Sequence, residues 1–96
     1  MERKTVELWD LLVPTKMLRT KPKLYKMMGM KAYYKKYGHF YGEIIVDTNY
    51  KILDGYVLYC AAKEMRQYNV PIKIVTKKDR ITYFFRRILK KIKGGK

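Results

Sequence analysis

Residues 37–75 read YGHFYGEIIVDTNYKILDGYVLYCAAKEMRQYNVPIKIV, and this stretch decides the fold. Gly38 stops a preceding helix, because glycine accepts the left-handed conformation that closes a helix C-terminus. The β-branched run Glu43-Ile44-Ile45-Val46 predicts a strand, Asp47-Thr48-Asn49-Tyr50 a turn, and Lys51-Ile52-Leu53 the returning strand. Asp54-Gly55 then opens a helix from Tyr56 to about Gln67, with Asp54 as the expected N-cap. Leu58, Ala61, Ala62 and Met65 form a narrow stripe on it, and the small residues at its centre allow close packing on a sheet. Val70-Pro71-Ile72-Lys73-Ile74-Val75 predicts a further strand, and its early proline points to a sheet edge.

Working outward, Val6 to Trp9 reads as a short strand entering a turn at Pro14. Pro22, favoured at a first helical position, predicts a helix capped by Thr20 or Lys21, with Leu24, Met27, Met28 and Ala32 at helical spacing. Gly29 weakens its middle by about 1 kcal/mol relative to alanine, so one helix or two shorter ones fit. Beyond a turn at Thr76 to Asp79, the residues Ile81, Phe84, Phe85, Ile88, Leu89 and Ile92 fit one helical face with arginines and lysines mostly elsewhere. Thr82-Tyr83-Phe84-Phe85 has strand propensity, but the longer helical period prevails and predicts a basic amphipathic helix over 80–93. The expected order is β-α-β-β-α-β-α, a compact α+β fold in a single domain over 1–96.

Ninety-six residues suit one domain, and 48% hydrophobic and 15% aromatic residues support a core. The net charge of +15 is unevenly placed. Lys16 to Tyr37 holds eight basic residues and no acid, and Arg80 to Lys96 holds seven and no acid, so the remainder is neutral. A neutral scaffold with two cationic segments points to a polyanionic partner. The single cysteine, Cys60, excludes an internal disulfide, and one His with one Cys excludes the usual zinc sites. No apolar run approaches the ~20 residues of a membrane span, and MERKTVELWD lacks a signal-peptide core. The expectation is a cytoplasmic, basic module with no cofactor and no metal.

The order and spacing of these pieces resemble the ParB/sulfiredoxin-like superfamily, and in particular small ParB-like domains carrying a DGYxRY motif. The likeness spans residues 37–75, with looser agreement back through Val6 to Pro22. It implies that Asp54, Gly55, Tyr56 and Val57, with the amides of Val57 and Leu58, face a phosphate-binding cleft. Independent physics agrees, since a helix start offers free amides and a positive dipole end; a plain hairpin exit and helix cap explains the same residues. The family's arginine falls at Leu58, which has no guanidinium fork for phosphate. Sulfiredoxin's catalytic cysteine falls at Tyr56, so that activity is rejected, and ParB-type CTP hydrolysis is in doubt. Cys60 reads as a small buried residue.

Four expectations about sites follow. Lys23, Lys26, Lys31, Lys35 and Lys36, interleaved with Tyr33 and Tyr34 (and with Tyr25 and Tyr37), read as phosphate contacts and stacking faces, although some tyrosines must face the core. With the apolar face of the C-terminal helix docked on the sheet, Arg86, Arg87, Lys90 and Lys91 would extend the footprint; the alternatives are an anionic membrane, a second subunit or an effector protein. Glu43, Asp47 and Asp54 are the only carboxylates near the cleft for a metal-dependent nuclease, yet turn and cap roles account for Asp47 and Asp54. His39 reads as a loop residue. The resulting expectation is a non-catalytic nucleic-acid-binding module, DNA before RNA, of a kind that suits a phage or mobile element. Its rivals are a basic inhibitor or accessory factor docked on a nucleic-acid-processing protein, and a nucleotide-binding enzyme or nuclease.

Overall fold

A computed structural model describes residues 2–79. The expected helix over 80–93 and its Arg86, Arg87, Lys90 and Lys91 lie outside the described residues. The elements are strand β1 (Glu2–Glu7), a 3-10 turn (Leu8–Asp10), helix α1 (Thr15–Leu18), helix α2 (Leu24–Tyr37), strands β2 (Ile44–Val46) and β3 (Ile52–Asp54), helix α3 (Tyr56–Glu64) and strand β4 (Asn69–Ile74). They build a mixed four-stranded sheet in the order β1-β4-β2-β3, with β4 parallel to β2 and the other pairs antiparallel.

Alternation puts Ile44, Val46, Ile52, Val70 and Ile72 on one face of the sheet, all buried. Onto them pack Leu58 and Ala62 of α3, with Phe40 from the loop after α2. The stripe expected on α3 is the one observed, with Met65 partly buried at its end. Leu8 and Leu11 close the core as the chain leaves β1 and runs to the opposite edge, where Leu12 bridges Lys51 beside β3.

Several boundaries differ from the sequence expectation, each for a local reason. The first strand is Glu2–Glu7, not Val6 to Trp9; its charges suit an edge strand, where they discourage pairing with another chain. β4 is central rather than an edge, despite Pro71. Val75 N–H donates to Val46 O at 2.9 Å, so the odd-numbered amides of β4 point toward β2. The β2 ladder begins at the pair Ile44 and Ile72, just past Pro71, so the missing N–H falls outside it. α2 begins at Leu24 after Lys23, two residues beyond Pro22, and Thr20 instead donates its hydroxyl back to Lys16 O in the separate turn of α1. Gly29 does not divide α2.

The buried side of α2 carries Met27, Met30 and Tyr34, not the Leu24, Met27, Met28 and Ala32 stripe. Leu24 is 74% and Met28 61% exposed. Tyr34, amphipathic and so easily assigned to the surface, supplies core area against Phe40 at a ring separation of 4.5 Å.

Helix α3 ends at Glu64, short of Gln67, because Arg66 takes a left-handed conformation (φ 58°) and Gln67 N–H closes onto Ala62 O. Thr76 and Asp79 form a reciprocal cap rather than a simple turn. Thr76 donates from its amide and hydroxyl to Asp79 Oδ2, Asp79 N–H returns to Thr76 Oγ1, and residues 77–79 are helical. The two Thr76 bonds hold the Asp79 carboxyl below its ordinary pKa.

Candidate functional site

Two places on the molecule bear on binding: the start of α3 and the flank of α2 that faces it. At the first, Gly55 is itself the N-cap, in a left-handed conformation (φ 88°), and Asp54 is the last residue of β3. Asp54 Oδ1 accepts the Gly55 N–H at 2.8 Å, so it does not cap the helix as expected. Gly55 O receives the amides of Leu58 at 3.0 Å and Tyr59 at 3.3 Å. The Leu58 amide is therefore consumed within the helix, leaving those of Tyr56 and Val57 as the free donors of the expected cradle. Leu58, at 2% exposure, points into the core. Leu58 thus brings no guanidinium to this site, which keeps the Asp54 carboxylate at its entrance.

Next to this turn, burial pushes the Tyr56 hydroxyl up to about 12, reinforced by its hydrogen bond with Cys60. Burial also raises the Cys60 thiol, against the opposing effect of that bond. Cys60 is half-buried, not fully enclosed, and Tyr56 stacks on Tyr59 at 5.8 Å. A thiol held in its neutral form is a poor nucleophile.

The carboxylates have structural partners. Asp47 Oδ1 accepts the amides of Asn49 and Lys51 and fixes the β2–β3 turn. Glu43 pairs with Arg3 at 3.1 Å. Among the described residues no group of three His, Cys, Asp or Glu side chains converges to hold a metal ion. No described helix is long and apolar enough to cross a membrane.

The flank of α2 is different in kind. Lys26, Met30, Tyr33 and Tyr37 recur at helical spacing along one side of the helix. Tyr33 packs on Tyr37 at 4.5 Å and meets Tyr41 and His39 edge-on at 5.3 and 5.6 Å. Lys36 sits 5.2 Å from the Tyr37 ring centre. An open cleft of about 320 Å³ lies beside this cluster, lined by Lys26, Gly29, Met30, Tyr33, Tyr41 and, from the start of α3, Val57.

The expected Lys/Tyr set therefore divides. Lys26, Tyr33 and Lys36 lie at or near the cleft, whereas Tyr34 belongs to the core. Lys35, about two and a half turns from Lys26, is on the opposite flank. Lys31 reaches Glu64 at 2.9 Å and ties α2 to α3, and Lys23 lies over Tyr25 at the first turn. His39 is in the loop as expected, its ring part of the aromatic cluster. Tyr41 and Gly29 were not singled out by sequence as site residues. The available signal for Tyr41 was alternation past Gly38: Phe40 is buried as an anchor, which turns its neighbour outward to 67% exposure.

No protein-family model matches the chain, and no curated protein matches it. Solved structures do. The C2221 form of a pNOB8-like ParB N-domain matches with a TM-score of 0.63 at 18% identity, covering 76% of this chain and 29% of that one. The C-terminally truncated chromosome-partitioning protein ParB from Caulobacter crescentus, complexed with CTP-γ-S, matches at 0.62 and 16% identity over 79% and 45%. Sulfiredoxin from Arabidopsis thaliana matches at 0.66 and 17% identity over 88% and 98%. The chain spans less than half the length of these two ParB chains. At such identities the likeness shows the fold, which is ParB/sulfiredoxin-like.

Proposed function

We propose that this chain is a ParB-like module that binds nucleic acid without catalysing a reaction. The observation that carries the proposal is the aromatic, lysine-bordered flank of α2 opening on an accessible cleft. Lys26 and Lys36, on that flank, pair with no acid among the described residues, in a segment with eight basic side chains and no carboxylate. A surface built for solubility mixes the signs of its charges. Lysines that neutralise phosphates release the counterions condensed on them, which gives affinity without sequence preference, and ring faces beside them add base contacts.

The start of α3 supports the non-catalytic half of the proposal. Leu58 is buried where the resemblance places an arginine, and the Asp54 carboxylate repels a triphosphate from the two remaining amides. Isothermal calorimetry with each common ribonucleoside triphosphate is expected to show nothing tighter than about millimolar, roughly −4 kcal/mol. Filter binding should meanwhile capture nucleic acid, and reversing Lys26 and Lys36 to Glu should abolish most of that capture. Micromolar binding or turnover of a triphosphate would restore a nucleotide-dependent enzyme as the better reading.

A further inference from the structure

Gly29 has a cost that packing does not explain. It sits in the middle of a continuous 14-residue helix, where glycine is the least favoured residue short of proline. Its φ is not positive, and a β-carbon built on it would meet nothing within 4 Å. Neither backbone geometry nor a close neighbour requires glycine there. Among the described residues, what surrounds the position is open space, and that space is the cleft.

From this we infer that the cleft is a slot for an unpaired nucleobase, so that the strand recognised is single-stranded. The inference rests on the nucleic-acid reading above and narrows it. The open cleft is lined by Met30 and Val57, by the rings of Tyr33 and Tyr41, which meet edge-on at 5.3 Å, and by Lys26. Its volume lies at the small end of ligand sites, suited to a flat ring and not to a helix of nucleic acid. Tyr33 is held by edge contacts from Tyr41 and His39 and by Tyr37 behind it, so the wall is ordered before a base arrives. Tyr37 (52% exposed) and Tyr41 extend ring surface beyond the slot for neighbouring bases. Lys36 above Tyr37 places a cation where the backbone linking such bases would pass. Duplex bases, paired and stacked, cannot enter such a slot, whereas a single strand presents its ring faces freely.

The test uses the full chain and fluorescence anisotropy at low salt. The probes are a 12-nucleotide strand, the same sequence as a duplex, and an abasic strand of equal length. The base-bearing strand should bind most tightly. Gly29→Leu should raise the melting temperature, because it improves the helix, yet weaken the base-bearing strand by about five- to 150-fold, the range of one stacked base. Tyr41→Ala should weaken it similarly and Tyr41→Phe should not, with the abasic strand unaffected by all three. If the duplex and abasic strand bind as tightly as the base-bearing strand, the slot is refuted while the phosphate footprint stands. Undiminished binding by Gly29→Leu refutes it too. If no probe binds at all, the nucleic-acid reading itself fails, and the slot with it.

Discussion

Gly55 carries two constraints at once. Its φ of 88° lies where a side chain costs roughly 1–2 kcal/mol, and a β-carbon there would stand 3.0 Å from Ile44 Cα and 3.1 Å from Glu43 O. Neither neighbour is the tip of a flexible side chain, so the start of β2 would have to move. Gly55→Ala is expected to destabilise the chain by about 2 kcal/mol or more, read as a lower urea midpoint at unchanged slope. One residue on, the half-buried Tyr56 gives a pH signature. Its folded pKa of about 12 exceeds the unfolded value near 10, so between those limits the unfolded chain releases the proton first. Stability present below pH ~10 is therefore lost as pH rises toward ~12, and Tyr56→Phe should flatten that decline. Parallel urea titrations of the two proteins check it by difference. The Asp-Gly turn was legible in sequence because so few residues tolerate it. The division of labour was not, since Asp54, Gly55 and Leu58 differ in where β3 stops and which amides the helix consumes.

At the scale of elements, α3 is the clearest case. Its stripe from Leu58 to Met65 was readable because small and large apolar residues recur at one spacing and nothing competes with them. Its end was not readable, because Arg66 adopts a conformation that sequence reasoning reserves for glycine or asparagine. Arg66→Gly should therefore stabilise the chain by about 0.5 kcal/mol or more, raising the melting temperature by roughly 2–4 °C in a thermal scan. Helix α2 is the opposite case. Methionine and tyrosine surround it, so periodicity offers several faces, and only packing selects among them: Met27 is buried, and Met30 and Tyr34 pack against the core that includes Phe40 and α3 residues. The first strand is expected at Val6 to Trp9 but runs over Glu2–Glu7, because its alternation is almost entirely polar and its partner β4, distant in sequence, organises it.

Across the whole molecule, position rather than number decides which lysines can bind. Lys31 spends its charge on Glu64, partly exposed, a pair worth about 0–1 kcal/mol. Lys31→Gln should thus cost nucleic-acid affinity less than Lys26→Gln, since Lys26 borders the cleft with no acid paired to it among the described residues; filter-binding curves at one salt concentration compare them. Sequence showed that cation without acid accumulates between Lys16 and Tyr37, but not that the helix would spread those charges over opposed flanks. The most direct measurement of the account is the salt dependence of binding to a single-stranded oligonucleotide. The logarithm of affinity should fall linearly with the logarithm of salt, by about 0.7 for each phosphate contact. Reversal of Lys26 and Lys36 to Glu, the two lysines on the cleft side, should flatten that slope by about 1.4 units. Equal slopes for the two proteins, or binding by the native chain that ignores salt, would contradict a phosphate footprint on α2.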